Sequence, residues 1–461
     1  MFTKILISFF LIFSLFEVVA QKSKPNIIFI LADDLGFGDL GCYGSTQIST
    51  PNIDGLAKSG KKFTQFYAGS TVCAPSRASL MTGLHTGHVS IRGNGEVPLA
   101  ASDSILPQYL HHAGYKNGIV GKWGLGLAGT TGAPESKGWD FFAGLLHHVE
   151  GHYQKPDSAW QIMNGKSTKV KIPENQYSNE WFTNQAKTFI KEQQSNPFFL
   201  YIAYTLPHAE LVVPKNAMLP YLTEEGASKF GPENAHPSGQ HYGSQAFPKA
   251  AYAAMVSQMD QYIGELIAYL KAQKLYDNTI IVFTSDNGTH KEGGRTKADI
   301  DFFNSSGGLK GAKRDLYEGG IRVPFIVSWK GKVKSGSINN YTGAFWDVLP
   351  TFNEIAGVAA LPETDGISFV NALKGKKQLV HNTLYWEFYE GGFKQAILQN
   401  NWKAIRYYKG TTPTRTELYN LAVDKGETID IADQNQPLVE LLEALMDKER
   451  IKSSNPLFQI K

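Results

Sequence analysis

Cysteine is almost missing from this chain: Cys42 and Cys73 are the only two in 461 residues, so at most one disulfide can form. Excess charge is missing too. A formal net charge of +3, with no run of basic residues, argues against a nucleic-acid partner. No Cys-His spacing of the zinc-site kind occurs, nor any internal repeat or low-complexity tract. What is present describes an ordinary globular protein: 42% hydrophobic, 19% charged and 12% aromatic residues, with 45 Gly implying many tight loops. The length suits one large α/β domain with an appendage, or two domains.

Apolar runs long enough to cross a membrane are lacking as well. The longest, Ile5 to Phe13, follows Lys4, and the segment closes on Val18-Val19-Ala20 before Gln21. This is the layout of a secretory signal peptide over residues 1–20. A buried N-terminal helix is the alternative, and a run apolar on every face fits it poorly. The expectation is an exported protein, periplasmic or secreted, without stable membrane insertion after cleavage.

Four apolar runs without alternation read as central strands of a sheet covered on both faces: residues 25–32, 117–120, 197–204 and 279–284. Each ends in polar residues, at Asp33-Asp34, Lys122, His208 and Asp286-Asn287. Ligands of open α/β sheets bind along that carboxyl edge. Between the strands, 50–57 reads as a helix capped by Thr50, 105–113 as a helix, 178–194 as a helix capped by Ser178, and 248–275 as a long helix. The expected fold is α/β, a doubly wound, mixed but mostly parallel sheet with helices on both faces, over residues 21–374. From 375 to 461 short strand candidates at 383–387, 394–398, 402–408 and 417–419 precede a helix at 438–450. They predict a smaller antiparallel sheet with one helix. Residues 209–245 form the longest expected loop, a lid or substrate wall.

One stretch organises the rest. Cys73-Ala74-Pro75-Ser76-Arg77 puts a thiol in a Pro-containing turn with an arginine four residues on, which suits a sulfur nucleophile acting on an anion. A small buried hydrophobe fits the same local spacing. Asp33, Asp34, Asp286 and Asn287 offer only hard oxygen donors, which suits Ca²⁺, with Mg²⁺ second, and disfavours zinc. Asp33-Asp34 by itself also suits a solvated turn.

Cys73 to Arg77 followed after four residues by Thr82-Gly83 resembles the signature of the sulfatase family, within the alkaline phosphatase superfamily. Asp33-Asp34-Leu35-Gly36-Phe37-Gly38-Asp39 resembles its D-D-x-G-x-x-D pattern, and Lys313 to Arg322 its K-x-x-x-Y-E-G-G-x-R. Glu417 to Leu421 before Asp424 adds a C-terminal likeness. The resemblance implies that a maturation enzyme oxidises Cys73 to formylglycine (3-oxoalanine), whose hydrate attacks sulfur. It assigns one Ca²⁺ to Asp33, Asp34, Asp286, Asn287 and residue 73, the hydrate to Arg77, the sulfate oxygens to Lys122 and Lys313, and protonation of the leaving alcohol to His208.

Asp286-Asn287-Gly288-Thr289-His290, with Lys122-Trp123-Gly124-Leu125-Gly126, is similar to exported bacterial enzymes acting on sulfated sugars, galactose-type ones among them. A sulfated carbohydrate is therefore the expected substrate, with His290, Arg295, His147 and His152 as candidates to contact it and His148 in the same cluster. Many sulfatases carry a histidine where this chain has Gly124; His85, His88 or water are the candidate replacements. A phosphodiesterase or phosphonate monoester hydrolase of the same superfamily, and a non-catalytic binder of sulfated glycans, are the competing readings.

Overall fold

The computed structural model describes residues 24–358 and 363–460; the expected signal peptide lies outside them. The four apolar runs stand side by side as Thr279–Ser285, Asn26–Ala32, Phe198–Ala203 and Lys116–Lys122, all parallel. Phe141–Leu145 continues the parallel set beyond Lys116–Lys122. On the other flank Arg322–Trp329 pairs antiparallel with both Thr279–Ser285 and Lys61–Tyr67. With the hairpin Ser158–Met163 and Lys166–Lys171 at one edge and Ser337–Asn339 and Gly343–Ala344 at the other, the sheet holds eleven strands. It is mixed and mostly parallel, as expected.

Alternate residues of a strand point to opposite faces, so an apolar run without alternation has to be covered twice. Ile28, Ile30 and Ala32 pack with the helices Ser178–Glu192 and Pro248–Ala272. Ile27, Phe29 and Leu31 pack with Cys73–Thr82, Leu106–His112 and Val348–Ala356.

The strands Leu384–Phe388, Lys394–Gln399, Trp402–Lys409 and Thr412–Asn420 form a separate antiparallel sheet. One face takes the helix Gln436–Lys448 through Tyr385, Ile397, Leu418 and Leu442. The other, through Trp386, Ala396 and Ile405, packs on Tyr67, Val72 and Trp346 of the large sheet's side.

Two expected caps are absent. Thr50 precedes the helix Pro51–Ser59 but makes no capping bond; its hydroxyl donates to Asp54 and accepts from the Gly41 N–H. Ser178 lies inside its helix and donates to the Gln154 carbonyl. The 209–245 segment contains the short helices Lys215–Met218 and Leu219–Tyr221. Both cysteines are free, in line with a fold held by its core alone.

Candidate active site

Cys73 is the first residue of the helix Cys73–Thr82 rather than part of a turn before it, so Arg77 follows one helical turn later on the same side. That helix end faces the carboxyl edge of the sheet, where Asp33 and Asp34 follow Asn26–Ala32 and Asp286 and Asn287 follow Thr279–Ser285. The neighbouring strand Lys116–Lys122 delivers Lys122. A Cβ at Gly121 would lie 1.9 Å from the Ala203 carbonyl oxygen, so only glycine lets this strand reach the site with its present register.

Asp33 is the hub. One of its oxygens accepts from the Cys73 thiol at 3.3 Å and the other holds Lys122 Nζ at 2.6 Å. Arg77 donates through Nε and Nη2 to Asp286 at 3.1 and 2.8 Å, and through Nη1 to the Lys122 carbonyl at 2.7 Å. Asp34, at a φ of 64°, accepts from Lys313 Nζ at 2.7 Å and from the Asn287 amide at 2.7 Å. His208 Nε2 lies 2.8 Å from Lys313 Nζ and 3.2 Å from Asp34, and its Nδ1 contacts the Ala209 carbonyl. All nine of these side chains are buried.

Burial sets the protonation pattern. It pushes the Cys73 thiol well up, and Asp33 adds to this, so the unmodified thiol is not a ready nucleophile. The local reading of a sulfur nucleophile beside a guanidinium therefore does not hold for the unmodified thiol. Burial, then Lys313 and His152, hold His208 well below the ordinary histidine range. His208 is thus a neutral imidazole whose Nε2 accepts from Lys313.

The donors fit a hard cation. Asn287 Oδ1 is buried without a hydrogen-bond partner, an open oxygen among carboxylates. Burial raises Asp34 to about 7 against the pull of Lys313, with Asp33 and Asp286 adding to the rise. Ligand atoms of Asp33, Asp34, Cys73 and His208 lie within 4.8 Å of one another.

The other histidines divide. The rings of His152 and His290 both stack with His208, at 4.1 and 5.6 Å between centroids. His290 has both nitrogens engaged, with the Pro207 carbonyl at 3.0 Å and the Glu292 N–H at 3.2 Å. Arg295 is turned onto Tyr252, Thr289 and Ser305. His147 pairs with Glu96. His85 and His88 lie beside Asp365 and Glu449, so neither takes the place of a side chain at 124. His148 does approach it: Gly124 has a φ of 73°, and a Cβ there would come 3.5 Å from the His148 Cβ.

Sequence reasoning missed three residues at the mouth. A cavity of about 530 Å³ is lined by His152, Tyr242, Glu292 and Arg314. The Tyr242 hydroxyl lies 3.1 Å from His152 Nδ1 and donates to Glu292 at 3.3 Å, and Arg314 donates to the other Glu292 oxygen. Glu292 stands in the stretch from Asp286 to Arg295, a signal available in the sequence. Tyr242, with a φ of 75°, has none.

Residues 25–358 match the family model described as Sulfatase. The chain belongs to the sulfatase family. Residues 311–453 also match the model described as N-sulphoglucosamine sulphohydrolase, C-terminal. An N-acetylgalactosamine-6-O-sulfatase of Bacteroides thetaiotaomicron is 30% identical, covering 94% of each chain. An N-acetylgalactosamine-6-sulfatase of Canis lupus familiaris is 30% identical over 82% of this chain and 71% of its own length. Among solved structures, Ps i-CgsB in complex with k-i-k-neocarrahexaose superposes with a TM-score of 0.76 at 28% identity, covering 95% of each chain. This sulfatase is a sulfuric ester hydrolase.

Proposed function

We propose that this sulfatase removes sulfate esters from a sulfated carbohydrate, with a galactose-type sugar favoured. The observation that carries the reading is the single buried cluster joining Cys73 to Arg77, Lys122 and Lys313 and to the oxygens of Asp33, Asp34, Asp286 and Asn287. Formal charge is balanced there, three carboxylates against three cations. A calcium ion held by the four oxygen-bearing residues and residue 73 would leave a positive surplus, which suits a sulfate ester. The names of the relatives above support a sugar substrate.

Once a maturation enzyme has converted Cys73 to formylglycine, the hydrated aldehyde supplies an oxygen nucleophile and the calcium supplies positive charge beside it. The chain's own groups do the rest. Arg77, locked onto Asp286, keeps a fixed guanidinium beside residue 73. Lys122 and Lys313 transfer hydrogen bonds from Asp33 and Asp34 to the sulfate oxygens, where negative charge spreads during transfer. When Lys313 turns to the sulfate, its cation leaves His208 Nε2, which takes up a proton from solvent and passes it to the departing sugar oxygen, while Nδ1 keeps its contact with the Ala209 carbonyl. His148, whose Cβ lies beside Gly124, serves in place of the family histidine. His152, with Tyr242, Glu292 and Arg314, lines the mouth where the sugar enters.

The same reading keeps the division into a catalytic domain at 21–374 and a C-terminal subdomain at 375–461, and export after removal of residues 1–20. No described helix is long and apolar enough to cross a membrane. Sulfate release from defined sulfated galactose and N-acetylgalactosamine oligosaccharides, set against hydrolysis of an aryl phosphodiester, tests the function. Faster turnover of the phosphodiester than of every sulfate ester would contradict it.

A further inference from the structure

Beside the mouth lies a second cavity, of about 650 Å³, that the reaction above does not use. The two cavities border the same pair of segments. Glu292 and Arg314 line the first, and their chain neighbours Lys291 and Asp315 line the second, which extends to Glu427 and Thr428 beyond the small sheet. Its volume is within the range of about 300–1,000 Å³ typical of small-ligand sites.

The charges lining it are unevenly satisfied. Lys310 runs across the rings of Tyr317 and Tyr419, at 4.0 and 5.0 Å, and its Nζ donates to the Tyr419 hydroxyl at 3.1 Å and the Glu427 carbonyl at 3.2 Å. No carboxylate pairs with it among the described residues, nor with the exposed Lys291. The third lysine, Lys297, is tied to Asp301 at 2.6 Å. Of the acids, Asp315 accepts from the Ala312 N–H at 3.0 Å. Glu427 directs its carboxylate away, onto Lys403 at 2.9 Å and the Glu318 N–H. Lys291 and Lys310, neither in an ion pair among the described residues, therefore share one cavity with the Asp315 carboxylate, Tyr317 and the polar Asn304. Lysines without a paired carboxylate bind anions such as a sulfate ester.

We propose that this cavity is a subsite for a second sulfated sugar of a polymeric substrate, with Lys291 and Lys310 taking its sulfate. The proposal rests on the reading of the active site as one for sulfated carbohydrates, and it makes the enzyme prefer oligosaccharides over single sugars.

The test measures binding to the full-length Cys73→Ala protein, which cannot turn substrate over, by calorimetry with sulfated galactan and chondroitin 6-sulfate hexasaccharides and with galactose 6-sulfate. Lys291→Ala combined with Lys310→Gln, which keeps a side-chain stem over the tyrosine rings, is expected to weaken at least one hexasaccharide about tenfold, the equivalent of ~1.4 kcal/mol. Galactose 6-sulfate should bind as before, and the hexasaccharide difference should shrink at high salt. Unchanged hexasaccharide affinity, equal losses on all ligands, or no hexasaccharide binding by the parent protein would each overturn the subsite. Turnover of nitrophenyl sulfate by the unsubstituted enzyme checks the underlying reading separately, since that small ester does not reach the second cavity.

Discussion

Lys313 and His208 meet nitrogen to nitrogen, Nζ to Nε2 at 2.8 Å, while both lie on the same oxygen of Asp34, at 2.7 and 3.2 Å. Burial and then the lysine keep the imidazole neutral, and a sulfate that draws the lysine away lets Nε2 take up a proton. Proton delivery is thereby tied to the presence of substrate.

His208→Ala should therefore lose about 10² to 10⁴ in kcat on a sulfated sugar, the usual worth of general-acid catalysis. A nitrophenol leaves with little protonation, so the loss on nitrophenyl sulfate should be much smaller. Steady-state kinetics on both substrates checks this; equal losses would assign His208 to holding the sulfate.

Chelation should abolish turnover, and Ca²⁺ should restore it better than Zn²⁺, because Asp33, Asp34, Asp286 and Asn287 present only oxygen. Asn287→Leu, which removes the partnerless Oδ1, should raise the Ca²⁺ concentration needed for half recovery. Metal-free enzyme with full activity would contradict the donor assignment.

Stability should depend on pH through Glu427. Burial raises its carboxyl to about 7 against the pull of Lys403, with Glu318 adding to the rise. A glutamate in the unfolded chain titrates near 4.5, so the folded protein holds this proton more tightly. The stabilisation is complete below about 4.5 and is lost as pH rises through about 7. Thermal unfolding should thus fall more between those values for the native protein than for Glu427→Gln.

At the seam between the sheets, Trp386 is fully buried and donates from its ring to the Ala68 carbonyl at 2.9 Å. Trp386→Ala should cost about 3–5 kcal/mol, the usual range for such a truncation, as measured by denaturant unfolding. A loss below 1 kcal/mol would mean that the small sheet is not held through this face.

Much of this site was legible because its residues end apolar runs. Asp33, Lys122 and Asp286 each terminate a strand with no side-chain alternation, and that pattern alone places them on one edge of a covered sheet. What was not legible depends on contacts between distant segments. Ser178 carries a good capping hydroxyl, yet Gln154 claims it, 24 residues away. The hairpin Ser158–Lys171 leaves one face exposed and offers no strong pattern. Tyr242 reaches His152 across 90 residues from inside a polar loop, so nothing in its own neighbourhood announces it. His85 and His88 follow the Cys73 signature closely in sequence, but the helix between carries them to Asp365 instead.

The central claim is that residue 73 works as an aldehyde-derived nucleophile rather than as a thiol. Peptide mass spectrometry of active enzyme across residues 73–77 tests it most directly. Conversion of the thiol to an aldehyde lowers the mass by roughly 18 Da relative to cysteine, and activity should track the converted fraction. Full sulfatase activity in a preparation where Cys73 is entirely unmodified would contradict the account.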